Sequence, residues 1–143
     1  IDAIVSDFIS GAVEWLSPNN DENHWDVIEG QGSLLHPSFA GVSLGLLHGS
    51  QPDAFLVCHE PTRIKMRGVE TPIPSINEII HLTISLGSLT NKKIKCIGIA
   101  LNTSEMNEDP KIIKEKISNE FGLPCLDPIV DNLEPFVNLI KKI

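Results

Sequence analysis

The sequence predicts an α/β fold built on a parallel sheet with helices on both faces. Short apolar runs alternate with helix-period segments along the chain, the order that parallel crossover connections require. The run Ala54-Phe55-Leu56-Val57-Cys58 is apolar without interruption, as in a strand buried on both faces. Trp25-Asp26-Val27-Ile28-Glu29 leads into Gly30-Gln31-Gly32-Ser33. That pattern suits a strand whose carboxyl end delivers an acid to a crevice where Cβ-free residues let a ligand approach the backbone.

Each element has its own local reason. Residues 2–6 read as a short strand, and residues 7–16 as a helix with Phe8, Ala12, Val13, Trp15 and Leu16 roughly on one stripe. Ser17-Pro18-Asn19-Asn20 ends it, and an acidic loop leads to the strand that closes on Glu29. His36-Pro37 introduces a helix over residues 38–47, with proline in its first turn. Gly41, Gly45 and Gly49 recur every four residues there, a face suited to close backbone packing at a cost of roughly 1 kcal/mol each in helix propensity. Gln51-Pro52-Asp53 turns the chain into the strand over residues 54–58, which His59-Glu60-Pro61-Thr62-Arg63 follows.

A loop carrying Arg63, Lys65 and Arg67 leads to Ser75-Ile76-Asn77-Glu78, a capping-box pattern, and to a helix through about residue 86. Residues 94–101 form the next strand, ending in Asn102-Thr103-Ser104. Asp109-Pro110 opens a helix that Gly122 stops, and residues 123–128 read as a short edge-like segment. The final helix starts between Asp131 and Glu134, and Lys141-Lys142 suit the dipole at its end.

The 143 residues are long enough for one domain with a real core, so residues 1–143 are expected to form a single unit. A formal charge of −8 and a pI near 5.0, with no Lys/Arg block, argue against nucleic acid. Cys58, Cys96 and Cys125 are widely spaced and sit in apolar segments, which suits reduced core thiols in a cytoplasmic protein. No apolar run of about 18 residues and no signal peptide occur, so no membrane partner is expected. The chain opens on Ile1-Asp2-Ala3-Ile4-Val5. Such an opening is expected of a piece of a longer protein, with part of the sheet and of the site upstream.

If the strand carboxyl ends line up, Asp7, Glu29 to Ser33, His59-Glu60 with Arg63, and Asn102-Thr103 meet around one crevice. Singly, each has a plainer role: Asp7 as a helix cap, Glu29 with its glycines as a tight turn, His59-Glu60 as an exposed pair, Asn102 as a turn former. Together they favour a site. Arg63 and Arg67 suit bidentate capture of a carboxylate or phosphate, so a small anionic ligand is expected. His36, His48, His59 and His81 lack zinc-ligand spacing, and a magnesium ion at Glu29 is the better metal hypothesis.

Longer runs carry a resemblance. Residues 2–14 (from Asp2 through Ser6-Asp7 and Ser10-Gly11), residues 26–49 (Asp26-Val27-Ile28-Glu29-Gly30-Gln31-Gly32-Ser33 through Leu46-Leu47-His48-Gly49), Cys58-His59-Glu60-Pro61-Thr62-Arg63 and Gly98-Ile99-Ala100-Leu101-Asn102-Thr103-Ser104 resemble the C-terminal P-loop-type domain of the DgcN family. The Glu29-Gly30-Gln31-Gly32 turn is also similar to the acidic, glycine-rich turn of dethiobiotin synthetase and cobyrinate amidase-like P-loop proteins.

The resemblance implies a partial P-loop NTPase-like three-layer sandwich and acetyl transfer from acetyl-CoA to the amine of D-glutamate or a similar acidic amino acid. It implies an N-terminal Rossmann-like domain and a phosphate loop upstream, and a homo-oligomer is expected. On that reading Glu29 or His59 is the general base, and Gly30, Gln31, Gly32, Ser33, Asn102 and Thr103 face the co-substrate. The amides of residues 30–33 stabilise an oxyanion, and Asp7, Glu60, Arg63 and Arg67 meet the substrate. The rival readings are an ATP- and magnesium-dependent ligase- or kinase-like enzyme, with Glu29 on the metal, and a non-catalytic nucleotide-binding or assembly module.

Overall fold

A computed structural model of the chain describes residues 3–143. The chain divides into two compact units: one runs up to Asp53 and takes in Asn77–Ile94, the other joins Ala54–Ile76 to Lys95–Ile143.

The second unit holds a parallel sheet of three strands in the order β1-β2-β3, where β1 is Ala54–His59, β2 is Lys95–Leu101 and β3 is Cys125–Leu126. This is the α/β architecture the alternation predicts. Val57 lies opposite Ile99 and His59 opposite Leu101, with an irregularity between Phe55 and Leu56. Ile99 is 0% exposed, and Leu101, Val57 and Ile117 are buried with it. Gly98 sits where a Cβ would lie 3.0 Å from the Phe136 ring and 3.1 Å from the Pro124 carbonyl oxygen, so a side chain there would press on its neighbours by a few tenths of an ångström. The helix α4, Pro110–Phe121, starts as expected: the Asp109 side chain accepts from the Lys111 amide at 2.9 Å and proline occupies its first turn. Gly122 ends it at φ 63°, its N–H donating to the Ser118 carbonyl.

The first unit is helical among its described residues. A 3₁₀ turn, Ser6–Phe8, leads into α1, Ile9–Leu16; α2 is Ala40–Ser50, and α3, Ile76–Gly87, belongs to this unit from Asn77 onward. Two predicted strands are absent among the described residues. Asp2 lies outside them, and Ala3 to Val5 are turn and coil. Residues 25–30 are coil as well, with Val27 94% exposed. Strand propensity there is local, whereas a strand exists only when a neighbour completes its hydrogen-bond ladder and covers its apolar side chains, and no described strand pairs with either segment.

Two smaller differences have equally local causes. Helix α2 begins two residues late, because Pro37 lies in a turn in which the His36 carbonyl accepts from the Phe39 and Ala40 amides. Helix α5, Glu134–Ile140, starts within the expected range, at its later end, the Asp131 carboxylate being bonded elsewhere. Cys58 is exposed and Cys96 and Cys125 are half-buried, so the thiols are not core residues. Cys58 lies on β1 between Val57 and His59, and alternation carries its side chain to the side of the strand opposite buried Val57.

The end of α2 is secured from a distance. Gln51 adopts the left-handed conformation at φ 47°, and the Asn91 carboxamide donates to the carbonyls of Gln51 and Pro52 and to the Asp53 carboxylate, at 2.9, 3.3 and 3.0 Å. The C-cap carbonyl of α2 and the turn that follows it thereby gain a partner.

The glycine stripe on α2 is a packing device at two of its three positions. A Cβ on Gly45 would lie 2.5 Å from Ile9 Cγ2, and one on Gly49 would lie 2.7 Å from Val13 Cβ and closer still to the Ser10 carbonyl oxygen. Gly41 has open space around it. Gly49→Ala is therefore expected to destabilise the protein by about 1–3 kcal/mol, since backbone and a β-branched side chain must move apart. Gly41→Ala should be neutral or stabilise by up to roughly 1 kcal/mol from helix propensity. Chemical denaturation of the two variants checks both signs.

Candidate functional site

The carboxyl ends of β1, β2 and β3 gather most of the polar residues that the sequence singles out in the second unit. His59 ends β1, and its carbonyl accepts from the Asn102 amide at 2.9 Å, which locks the loop after β2 to the end of β1. The side chain of His59 is half-buried, and that desolvation lowers its pKa below 6.5 against the opposing pull of neighbouring Glu60. The imidazole is consequently neutral at pH 7 and able to accept a proton.

Glu60 gathers the next turn. Its carboxylate pairs with the Arg63 guanidinium and accepts from Thr62 Oγ1 at 3.1 Å, while its carbonyl accepts from the Arg63 amide. Arg63 is thus an organiser of this turn as well as a cation at its edge. Beyond it the chain folds back on itself: Met66 N–H donates to the Thr71 carbonyl, Ile73 N–H to the Ile64 carbonyl, and Lys65 pairs with Glu70. Met66 is buried beneath this bend, and Arg67 projects from it beside Gly68 at φ 76°.

Asn102 and Thr103 differ sharply. Asn102 is exposed, and its Oδ1 accepts from the Ser104 amide at 3.1 Å. Thr103 is buried and gives both its polar hydrogens to the Asp127 carboxylate, the amide at 3.1 Å and the hydroxyl in a shorter bond. Asp127, 2% exposed, also accepts from the Ile129 amide at 2.9 Å, and its own amide donates to Asp131 at 2.7 Å. Asp131 in turn takes the Lys114 ammonium of α4 at 2.6 and 2.8 Å. The Thr103 hydroxyl first, and then the backbone amides and the Lys114 charge, hold the Asp127 carboxyl below its usual range despite burial; Lys114 chiefly does the same for Asp131. Sequence reading misses this chain of contacts, because its only local trace is Leu126-Asp127-Pro128 after a short apolar segment.

The remaining candidates lie in the first unit. Asp7 is exposed in the 3₁₀ turn and makes no side-chain cap. Glu29 and Gly30 are exposed coil, and a Cβ on Gly30 would meet nothing. Gly32 is at φ 60° with the Phe39 side chain against it, a position that needs glycine. The Gln31 carbonyl accepts from the Ser43 hydroxyl, Ser33 Oγ accepts from the Leu35 amide at 3.1 Å, and buried His36 stacks its ring 4.7 Å from that of Phe39. The glycine-rich loop is therefore folded onto the start of α2. Asp7 and Glu29 follow no described strand, so neither takes the strand-end position expected of it. Among the described residues no group of three or more His, Cys, Asp or Glu side chains converges on a point that a metal ion could fill, and no helix is long and apolar enough to cross a membrane.

Comparison with known proteins gives consistent results. Residues 1–137 match the family described as "Domain of unknown function (DUF1611_C) P-loop domain". A protein named D-glutamate N-acetyltransferase from Pseudoalteromonas sp. is 53% identical over 139 residues, 96% of this chain and 42% of the relative. Another of that name from Tritonibacter scottomollicae is 45% identical over 131 residues, 90% of this chain and 39% of its own. The crystal structure of a DUF1611 family protein from Anabaena variabilis superimposes with a TM-score of 0.85 at 32% identity, covering 99% of this chain and 43% of that one. The chain thus spans about two-fifths of the length of the proteins it matches.

The Asp127 and Asp131 shifts set an acid limit on stability. A carboxyl held below its unfolded value of 3.8 stabilises the fold above that pH, and the stabilisation is lost as pH falls through the folded value. Asp127→Asn should accordingly be less stable than the wild type at pH 7, with the gap narrowing as pH drops below about 3.8. Urea unfolding midpoints at pH 7 and pH 3 check this; a gap that is constant with pH would contradict it.

Proposed function

This chain belongs to the DUF1611 C-terminal P-loop domain family, and from that premise we propose that it forms part of an N-acetyltransferase acting on D-glutamate or a similar acidic amino acid, with acetyl-CoA as donor. The observation that carries the reading is the pair of relatives bearing that activity in their names, 53% and 45% identical across nearly all of this chain. The neutral, half-buried imidazole of His59 at a strand end supplies the chemistry that such a reaction needs.

In this reading His59 takes a proton from the substrate ammonium and leaves a nucleophilic amine. The amine nitrogen forms a bond to the thioester carbonyl carbon as the carbon–sulfur bond breaks; the departing thiolate recovers the first proton from the imidazolium, and the second proton that the nitrogen sheds on becoming an amide passes to solvent. Glu60, fixed by Arg63 and Thr62, supports the transient positive charge on the ring. Arg67, on the bend beyond Arg63, captures a carboxylate of the amino acid through its planar fork. Asn102 faces the co-substrate.

The P-loop description of the family supports a second reading, in which the bound anion is a nucleotide triphosphate and the reaction depends on magnesium. Magnesium-dependent release of phosphate from ATP by the full-length protein, with no acetylation of D-glutamate, would favour it.

In the full-length protein His59→Gln is expected to lower kcat/KM by about 10²-fold or more, the scale of a lost general base, whereas Glu29→Gln, on an exposed loop, should stay within a few-fold. For the wild type, kcat/KM should fall as pH drops through the His59 ionisation, below 6.5, since only the neutral ring accepts a proton. Steady-state acetylation assays across pH decide both; a large loss in Glu29→Gln alone would transfer the base to the glycine-rich loop.

Arg67→Lys should raise KM for D-glutamate several-fold while kcat holds, because lysine keeps the charge and loses the bidentate geometry. An unchanged KM would remove Arg67 from substrate capture.

A further inference from the structure

The loop that carries Asn102 has little freedom of its own. Its first amide is bonded to the carbonyl of His59, its second to the Asp127 carboxylate, and its third to Asn102 Oδ1. The Thr103 hydroxyl also donates to Asp127, so neither hydrogen-bond donor of Thr103 is left for a ligand. With Oδ1 committed to the Ser104 amide, what Asn102 offers from this exposed loop is the pair of Nδ2 hydrogens. A donor pair held this way suits an acceptor oxygen or ring nitrogen.

Asp127 in turn is fixed from behind. Its amide binds Asp131, which the Lys114 ammonium grips from α4 with both oxygens in range. Three N–H or O–H donors converge on the one Asp127 carboxylate: the Thr103 amide, the Thr103 hydroxyl and the Ile129 amide. A carboxamide in the same place has only one acceptor oxygen and would turn its NH₂ against one of these donors. The arrangement therefore demands a carboxylate, a stricter demand than a polar core position makes.

Resting on the acetyltransferase reading, we infer that Asp127 is a positioning residue: by holding Thr103 it presents the Nδ2 donors of Asn102 to an acceptor atom of acetyl-CoA. Asp127 itself touches no substrate. Lys114 and Asp131 extend the same support into the body of the unit, linking α4 to the edge of the sheet where the co-substrate binds.

The test is a double-mutant cycle in the full-length protein. Asn102→Ala and Asp127→Asn should each raise KM for acetyl-CoA by roughly three- to tenfold, the effect of about one hydrogen bond, with kcat and KM for D-glutamate within twofold. Combined, they should cost no more than the larger single loss, because one acts through the other. Losses that multiply, or an unchanged KM in a folded Asp127→Asn, overturn the inference. Should Asp127→Asn fail to fold, Thr103→Val replaces it and Thr103→Ser, which keeps the hydroxyl, must restore the wild-type KM; a Thr103→Ser enzyme as impaired as Thr103→Val would overturn it equally. If the wild type does not acetylate D-glutamate, the functional reading falls, and the positioning role is read by amide hydrogen exchange. Faster exchange at residues 102–104 in Asp127→Asn, with residues 95–101 unchanged, upholds it, and unchanged exchange at residues 102–104 refutes it.

Discussion

The buried carboxylate of Asp127 is the contact on which the loops at the carboxyl edge of the sheet in the second unit depend. It replaces water around a charge with three directed donors, and its backbone amide passes the connection to Asp131 and Lys114. A buried charge without such partners is severely unfavourable, so burial and pairing stand or fall together. One short strand, β3, thereby fixes the loop after β2, and that loop is bonded to the end of β1 through Asn102 and His59. The sheet sets the order of the strands. The polar chain across their carboxyl ends sets the geometry of the loops that leave them.

His59 and its surroundings show how a modest environment sets chemistry. Partial burial removes enough water to favour the uncharged ring, and Glu60, which would otherwise favour the charged one, is itself occupied by Arg63 and Thr62. The competition is won by desolvation. A cation and a carboxylate that neutralise each other beside an imidazole leave that imidazole closer to an uncharged pocket than the sequence His-Glu-Pro-Thr-Arg suggests on its own.

The parts of this molecule that are legible in the sequence are those whose causes are local. The apolar run at residues 54–58, Asp109-Pro110 before α4 and Gly122 after it all have their reasons within a few residues. Trp25 to Glu29 has strand-like composition and no described strand beside it, so its pattern misleads and Val27 stands in solvent. Asp127 is the opposite failure. It reads as the start of a turn, and its role appears only when residue 103 is brought beside residue 127, a pairing across 24 positions that no local pattern encodes. The same holds for Asn91, whose carboxamide completes a helix end some 40 residues away.

Whether the carboxyl end of β1 and β2 is where ligands bind is most directly measured by amide hydrogen exchange of the full-length protein with and without acetyl-CoA and D-glutamate. Slowed exchange over residues 59–67 and 102–104 in the ligand-bound protein is the predicted result. Protection confined to other segments, with those two stretches unchanged, would contradict it.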